Sequence, residues 1–311
     1  MRLRRADSVG NAILIGLCGF AAIVIVAAIV LIIWKVVDGA RPAIARFGVG
    51  FIGDTAWRAN FDDFGAGVML YGTAVSSAMA MVLAVPIGLA IGLYLSLLAP
   101  RGVRTVVGPL VEMLAAVPSV ILGLWGILVL GPFVRDHIEP ALHGVLGFIP
   151  LFGEPGSSGS SMFTAGLILT IMVVPIIASL SRDLFLAVPR EQQDAAAALG
   201  ATRWDVVRGV VLPSTASGIA AASCLGLGRA LGEAIAVTQV IGAGAAIHAS
   251  LFATGDTLAG RIAAQFAGAT SDLHKASLFY LALILLIIGL ATNLLAQWIG
   301  RRFDPTRGLS R

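Results

Sequence analysis

Six long apolar blocks govern what this chain can fold into. They run near Ala12–Trp34, Gly67–Leu98, Val106–Phe133, Met162–Leu186, Ala216–Gly242 and Ala276–Gly300. A helix needs roughly 20 apolar residues to cross the hydrocarbon core of a bilayer. Inside lipid, every backbone polar group must be satisfied within the protein, and a helix does this by itself. The blocks therefore predict an all-α membrane protein with six transmembrane helices. With 58% hydrophobic and 12% charged residues, the chain lacks the polar surface of a soluble domain.

Pro86, Pro118 and Pro175 fall inside predicted spans, where neighbouring groups can satisfy the freed carbonyls. The apolar run after Arg2, Arg4 and Arg5 is longer than a signal-peptide core and reads as an uncleaved first span. Basic residues set the expected orientation. With the N-terminus inside, thirteen basic residues lie on the inner side, including Arg101, Arg104, Arg190, Arg203 and Arg208, and seven on the outer side. Both termini are expected to be cytoplasmic. The expected divisions are an N-terminus at 1–11, a first span with its outer segment at 12–66, a transmembrane body at 67–300 with an inner loop at 187–215, and a C-terminus at 301–311. Further outer segments are expected near 134–161 and 243–275. Cys18 and Cys224 lie inside apolar blocks without ligand spacing and read as packing residues. Trp34, Trp57 and Trp298 read as interfacial anchors, and His137, His143, His248 and His274 as surface residues. The small net charge of +4 does not suggest nucleic acid.

Enzymatic motifs are missing. A P-loop needs Gly-Lys-Ser/Thr, and the two lysines follow Trp34 and His274. There is no His-Glu-x-x-His pair and no Gly-x-Ser-x-Gly elbow. The string Gly48-Val-Gly-Phe-Ile-Gly53 lacks the strand–turn–helix setting that would make it a dinucleotide site. No cofactor or metal is expected in this chain. ATP-driven transport would require a partner that binds ATP and Mg.

The inner loop reads Pro189 to Pro213. Ala195–Ala198 favour a helix, Gly200 suits the left-handed turn that ends one, and Thr202 can cap the next helix with Asp205 three residues on. A stop is expected at Pro213. The fifth span holds Arg229 and Glu233, four apart, about 6 Å along one helix face. Charges at mid-membrane cost several kcal/mol unless paired or wetted. Arg229 presents planar donors that match oxyanions, and Glu233 can position it or meet a substrate proton. A structural salt bridge is the alternative, and the two readings are compatible. Gly228 and Gly232 form a Gly-x-x-x-Gly that permits close helix contact. Glu112 lies within the third span near its inner end. It can reach the interface, or pair with Arg229 or a loop arginine.

The loop resembles the EAA motif of ABC importer permeases: Asp194-Ala195-Ala196, Gly200, Val210 and Leu212-Pro213 stand in register, with Asp for Glu and Val for Ile. The resemblance implies a type I importer architecture in which the loop docks on an ATPase, through Asp194, Ala195, Ala196, Gly200 and Trp204. Further strings are similar to the phosphate-specific (PstC-type) permeases: Glu112-Met-Leu-Ala-Ala-Val-Pro-Ser119, Gly226-Leu-Gly-Arg-Ala-Leu-Gly-Glu233 and Asp272-Leu-His274. Ala234-Ile235 stands where that family often has Thr-Met. This resemblance implies a multi-pass bacterial inner-membrane subunit that passes phosphate. Its expected partners are a second permease (PstA type), an ATPase dimer (PstB type) and a periplasmic or lipid-anchored binding protein (PstS type). Another oxyanion or organophosphate is the alternative substrate. An ATP-independent secondary transporter is the alternative class.

Overall fold

The computed structural model describes residues 2–302; the rest of the expected C-terminal segment lies outside the described residues. Among the described residues, six helices are long and apolar enough to cross a membrane. Helix α1 spans Arg2–Phe47 and α2 spans Gly67–Leu98. Helix α3, Arg101–Ala115, precedes α4, Ser119–Leu146, and α5 spans Met162–Leu186. The inner loop carries α6, Arg190–Ala198, and leads into α7, Arg203–Gly232. Helix α8, Ile235–Val240, and α9, Leu258–Gln265, precede α10, Asp272–Arg302.

The second and fourth spans have the bounds expected from hydropathy, and they form the heart of the bundle. Small residues recur every four positions along α2: Gly72, Ser76, Ala80, Ala84, Gly88 and Gly92, all buried. This stripe lets α5 approach closely, which is how helices associate where lipid removes the hydrophobic drive. A Cβ on Gly88 would meet Ile177 at 2.8 Å, and one on Gly92 the Ala178 carbonyl at 3.1 Å. At Gly72 it would collide with the carbonyl oxygen of Asp256 in the loop before α9. Overpacking typically costs about 1–3 kcal/mol, and here the neighbour is backbone that cannot rotate away. Gly72→Leu is therefore expected to cut the yield of folded protein severalfold, measured by fluorescence-detected size exclusion, whereas Gly102→Leu, in open space, should leave it unchanged.

The first, third and fifth spans differ from expectation. The third does not run from Val106 to Phe133. The chain breaks at Ala116–Pro118, because proline disfavours a helical residue before it, and α3 becomes a separate amphipathic helix. The span itself is Ser119–Leu146, so much of the expected outer segment 134–161 is helical. The fifth span ends at Gly232 rather than Gly242 and begins in the loop at Arg203.

Pro213 does not stop a helix. Widened turns cover Tyr94–Leu98, Gly126–Leu130, Val134–Ile138 and Val207–Val211. Each ends two residues before a proline: Pro100, Pro132, Pro140 and Pro213. Proline lacks an N–H and its ring crowds the carbonyl one turn back. At Pro132, Pro140 and Pro213 the widened turn absorbs both defects and the helix continues, whereas at Pro100 the helix ends at Leu98.

Helix α1 continues past Trp34 to Phe47 and leans on α10, where Phe279 covers Gly39. Beyond it, a two-stranded hairpin pairs β1, Trp57–Arg58, with β2, Asp63–Phe64. Trp57 is half-buried rather than fully exposed. Its ring packs edge-on to Phe64, and its Nε1 donates to Gln265 Oε1 at 2.7 Å. His274 is not a surface residue: it is buried, stacked on Phe64 with centroids 5.1 Å apart. Buried Asp256 pairs with Arg261, whose guanidinium lies 5.6 Å from the Trp57 ring centroid. Burial pushes the Asp256 carboxyl up and the Arg261 charge opposes it. Cys18 is exposed on α1 rather than packed.

Candidate functional site

Arg229 and Glu233 line one open groove of about 1080 Å³ between α5, α7 and α10. They do not share a helix face. Helix α7 ends at Gly232, and Glu233 adopts an extended backbone (φ −74°, ψ 116°). Two glycines in five residues weaken the helix here. Past the break, the Glu233 carboxylate accepts from the Ala236 N–H at 3.4 Å, near the start of α8, where the helix dipole favours a negative charge. No ion pair joins Arg229 and Glu233 among the described residues. The alternative reading, a structural salt bridge, is thus not found, and the guanidinium stands on the groove wall without a partner among the described residues.

Gly228 and Gly232 are not a contact motif within the chain. A Cβ on either would meet nothing within 4 Å, so they border the groove instead. The tight contact falls two residues before Gly228, on the other side of the helix, where Gly226 packs against Val173 and Ile177 of α5. Cys224 also borders the groove.

The opposite wall was missed by hydropathy. Thr292, Asn293 and Gln297 of α10 face the same groove. Asn293 and Gln297 are one turn apart and supply amide donors and acceptors. The available signal was polar residues recurring at i, i+4 inside an otherwise apolar helix.

The inner loop forms a protruding knob. Helix α6 ends at Ala198 with Leu199 as its C-cap, and Gly200 takes the left-handed conformation (φ +90°). Thr202 and Asp205 cap α7 reciprocally: the Thr202 hydroxyl accepts from the Asp205 N–H, and the Asp205 carboxylate accepts from the Thr202 N–H at 3.0 Å. Ala195 and Asp194 are exposed and Ala196 is half-buried. At the tip, Leu199 is 91% exposed and Trp204 64% exposed. Two large apolar side chains with that exposure at a rigid turn form a surface built for contact.

Glu112 lies on α3, outside the membrane spans, and pairs with Arg182 at the end of α5 at 2.8 Å. It does not reach Arg229. Of the partners open to it, Arg182 is the one found.

Six spans, a largely apolar groove that carries Arg229 and is open on one flank, and an exposed knob define a membrane permease subunit that works with other chains. Residues 84–305 match the family model of the binding-protein-dependent transport system inner membrane component, and the chain belongs to this family. It is 40% identical to the phosphate transport system permease protein PstC of Mesorhizobium japonicum, over 87% of this chain and 84% of that protein. It is 38% identical to PstC of Xylella fastidiosa, over 99% and 94%. The fold is also similar to a chain in the crystal structure of a bacterial alginate ABC transporter in complex with an alginate pentasaccharide-bound periplasmic protein (TM-score 0.57, 15% identity, 90% of this chain and 95% of that one). The protein is a multi-pass component of the bacterial inner membrane, part of an ABC importer that uses ATPase and binding-protein partners.

Proposed function

We propose that this chain forms one half of the pore through which an ABC importer carries inorganic phosphate into the cytoplasm. The observation that carries this reading is Arg229: a guanidinium without an ion pair, on a groove wall that holds no second cation among the described residues. Left facing lipid, it would cost several kcal/mol. Closing the groove with a second permease of PstA type would make it a protein-walled path. There Arg229 offers paired donors to phosphate oxygens. Glu233 can accept a hydrogen bond from a protonated phosphate oxygen, which sulfate lacks at neutral pH. Kinship with PstC proteins over nearly the whole chain supports the same substrate.

The knob Asp194–Trp204 docks on a PstB-type ATPase, which binds ATP and Mg and supplies the energy. Both termini then lie in the cytoplasm. The outer face, with Asp54, Arg58, Asp62 and Asp63, receives a PstS-type binding protein. Arg58 and Asp63 already pair across the hairpin, and Asp62 accepts from the Ser271 hydroxyl at 2.7 Å, so these charges are held in place.

Uptake of labelled phosphate into proteoliposomes of the full complex tests the reading. Excess unlabelled phosphate should suppress it while sulfate and molybdate leave it unchanged. Equal suppression by sulfate would move the assignment to a general oxyanion importer. On the same path, Asn293→Leu removes one hydrogen bond to a charged substrate. About 1.5 kcal/mol predicts a roughly tenfold rise in the transport KM with little change in expression.

A further inference from the structure

A second cavity, of about 620 Å³, lies between the docking loop and the bundle. That volume falls within the range of small-ligand sites, about 300–1,000 Å³. Three arginines from three elements line it: Arg104 in the first turn of α3, Arg190 at the start of α6 and Arg203 at the start of α7. Asp194 is the one carboxylate on its wall, leaving an excess of two positive charges (three minus one). Leu97, Leu98 and Phe185 supply an apolar side.

The cations differ in setting: Arg190 and Arg203 are exposed, and Arg104 is half-buried. Arg104 donates one Nη to the Ser96 carbonyl, but its Nε is buried with no hydrogen-bond partner. The side chains of Arg190 and Arg203 have no hydrogen bond or ion pair among the described residues. A buried donor without a partner is costly, and like charges gathered at one cavity add to that cost. An anion bound between them removes both.

We propose that this cavity binds a phosphate-bearing anion. Guanidinium groups match phosphate oxygens in pairs, and basic pockets between membrane helices on the cytoplasmic side hold anionic headgroups. The site is separate from the Arg229 groove. Two of its arginines ride on the docking-loop helices and the third on α3. An occupant therefore ties the loop to the bundle and sets the angle at which the knob meets its partner. The same chemistry has two sources: an anionic phospholipid headgroup with its chains along the Leu97–Leu98 side, or free inorganic phosphate.

The test uses the assembled transporter in nanodiscs of phosphatidylcholine, alone or mixed with phosphatidylglycerol. Wild type is compared with an Arg104→Gln/Arg190→Gln variant and the corresponding double Lys variant. Phosphatidylglycerol retained per complex is counted by native mass spectrometry, and ATPase activity is followed as inorganic phosphate is titrated. If the wild type keeps a phosphatidylglycerol that the Gln variant loses and the Lys variant retains, the occupant is lipid. If the phosphate concentration that alters ATPase activity rises about tenfold in the Gln variant alone, it is the free anion. Identical lipid counts and identical phosphate responses overturn the proposal. So does loss of the ATPase subunit from the Gln variant with lipid count unchanged, which would place a partner carboxylate in the cavity. Should the double variant not assemble, Arg190→Gln, at an exposed position, carries the same comparison. The lipid count does not depend on the Arg229 groove, and the phosphate titration is run without the binding protein that would deliver substrate to it, so failure here leaves that assignment standing.

Discussion

Arg229→Gln is expected to abolish phosphate uptake while the transporter still assembles. The guanidinium makes no ion pair that the substitution would break, and removing an uncompensated charge from the membrane relieves a desolvation cost. Folding should therefore be unaffected or improved. Transport loses a pair of charge-assisted hydrogen bonds, each about 1.5–3 kcal/mol. Together they predict a fall in uptake of about a hundredfold or more. Arg229→Lys keeps the charge without the planar fork and should recover part of the activity. Uptake and subunit co-purification measured on the same preparations separate the outcomes. Intact transport by the Gln variant would remove Arg229 from the path.

The second large effect concerns the knob. Leu199→Asp/Trp204→Ala is expected to release the ATPase subunit. A central tryptophan in an interface commonly carries about 2–4 kcal/mol, and a carboxylate in place of the apolar tip adds a desolvation penalty. The ATPase should bind some thirty- to a thousandfold more weakly, measured as the affinity of the purified ATPase for the permease pair in nanodiscs. The permease pair itself should stay folded, because both side chains point away from the bundle and the Thr202–Asp205 cap is untouched. Unchanged ATPase affinity would mean that another surface does the docking.

Features set by local chemistry were legible in the sequence. The knob is one: Gly200, Thr202 and Asp205 act within a few residues of each other, and the structure uses all three. The spans Gly67–Leu98 and Met162–Leu186 are others, because polar or turn-forming residues flank each apolar run. Arg229 stood out as a charge inside such a run. Features set by packing were not legible. Glu112 is the one charged residue from Val106 through Phe133, so hydropathy could not separate the amphipathic α3 from the span beyond Pro118. Apolar composition likewise runs past Gly232, although the helix ends there and the Glu233 carboxylate turns to the start of α8. Spacing alone therefore suggested an Arg229–Glu233 pair that the backbone break prevents. Asn293 and Gln297 are neutral, barely lower the mean hydropathy of α10, and become visible only when α10 is set opposite α7.

ATPase activity of the reconstituted complex across oxyanions tests the central claim most directly. With the binding protein present, phosphate should stimulate ATP hydrolysis severalfold, sulfate and molybdate should not, and Arg229→Gln should abolish the coupling between hydrolysis and uptake. Equal stimulation by sulfate, or phosphate uptake that persists without the ATPase, would contradict it.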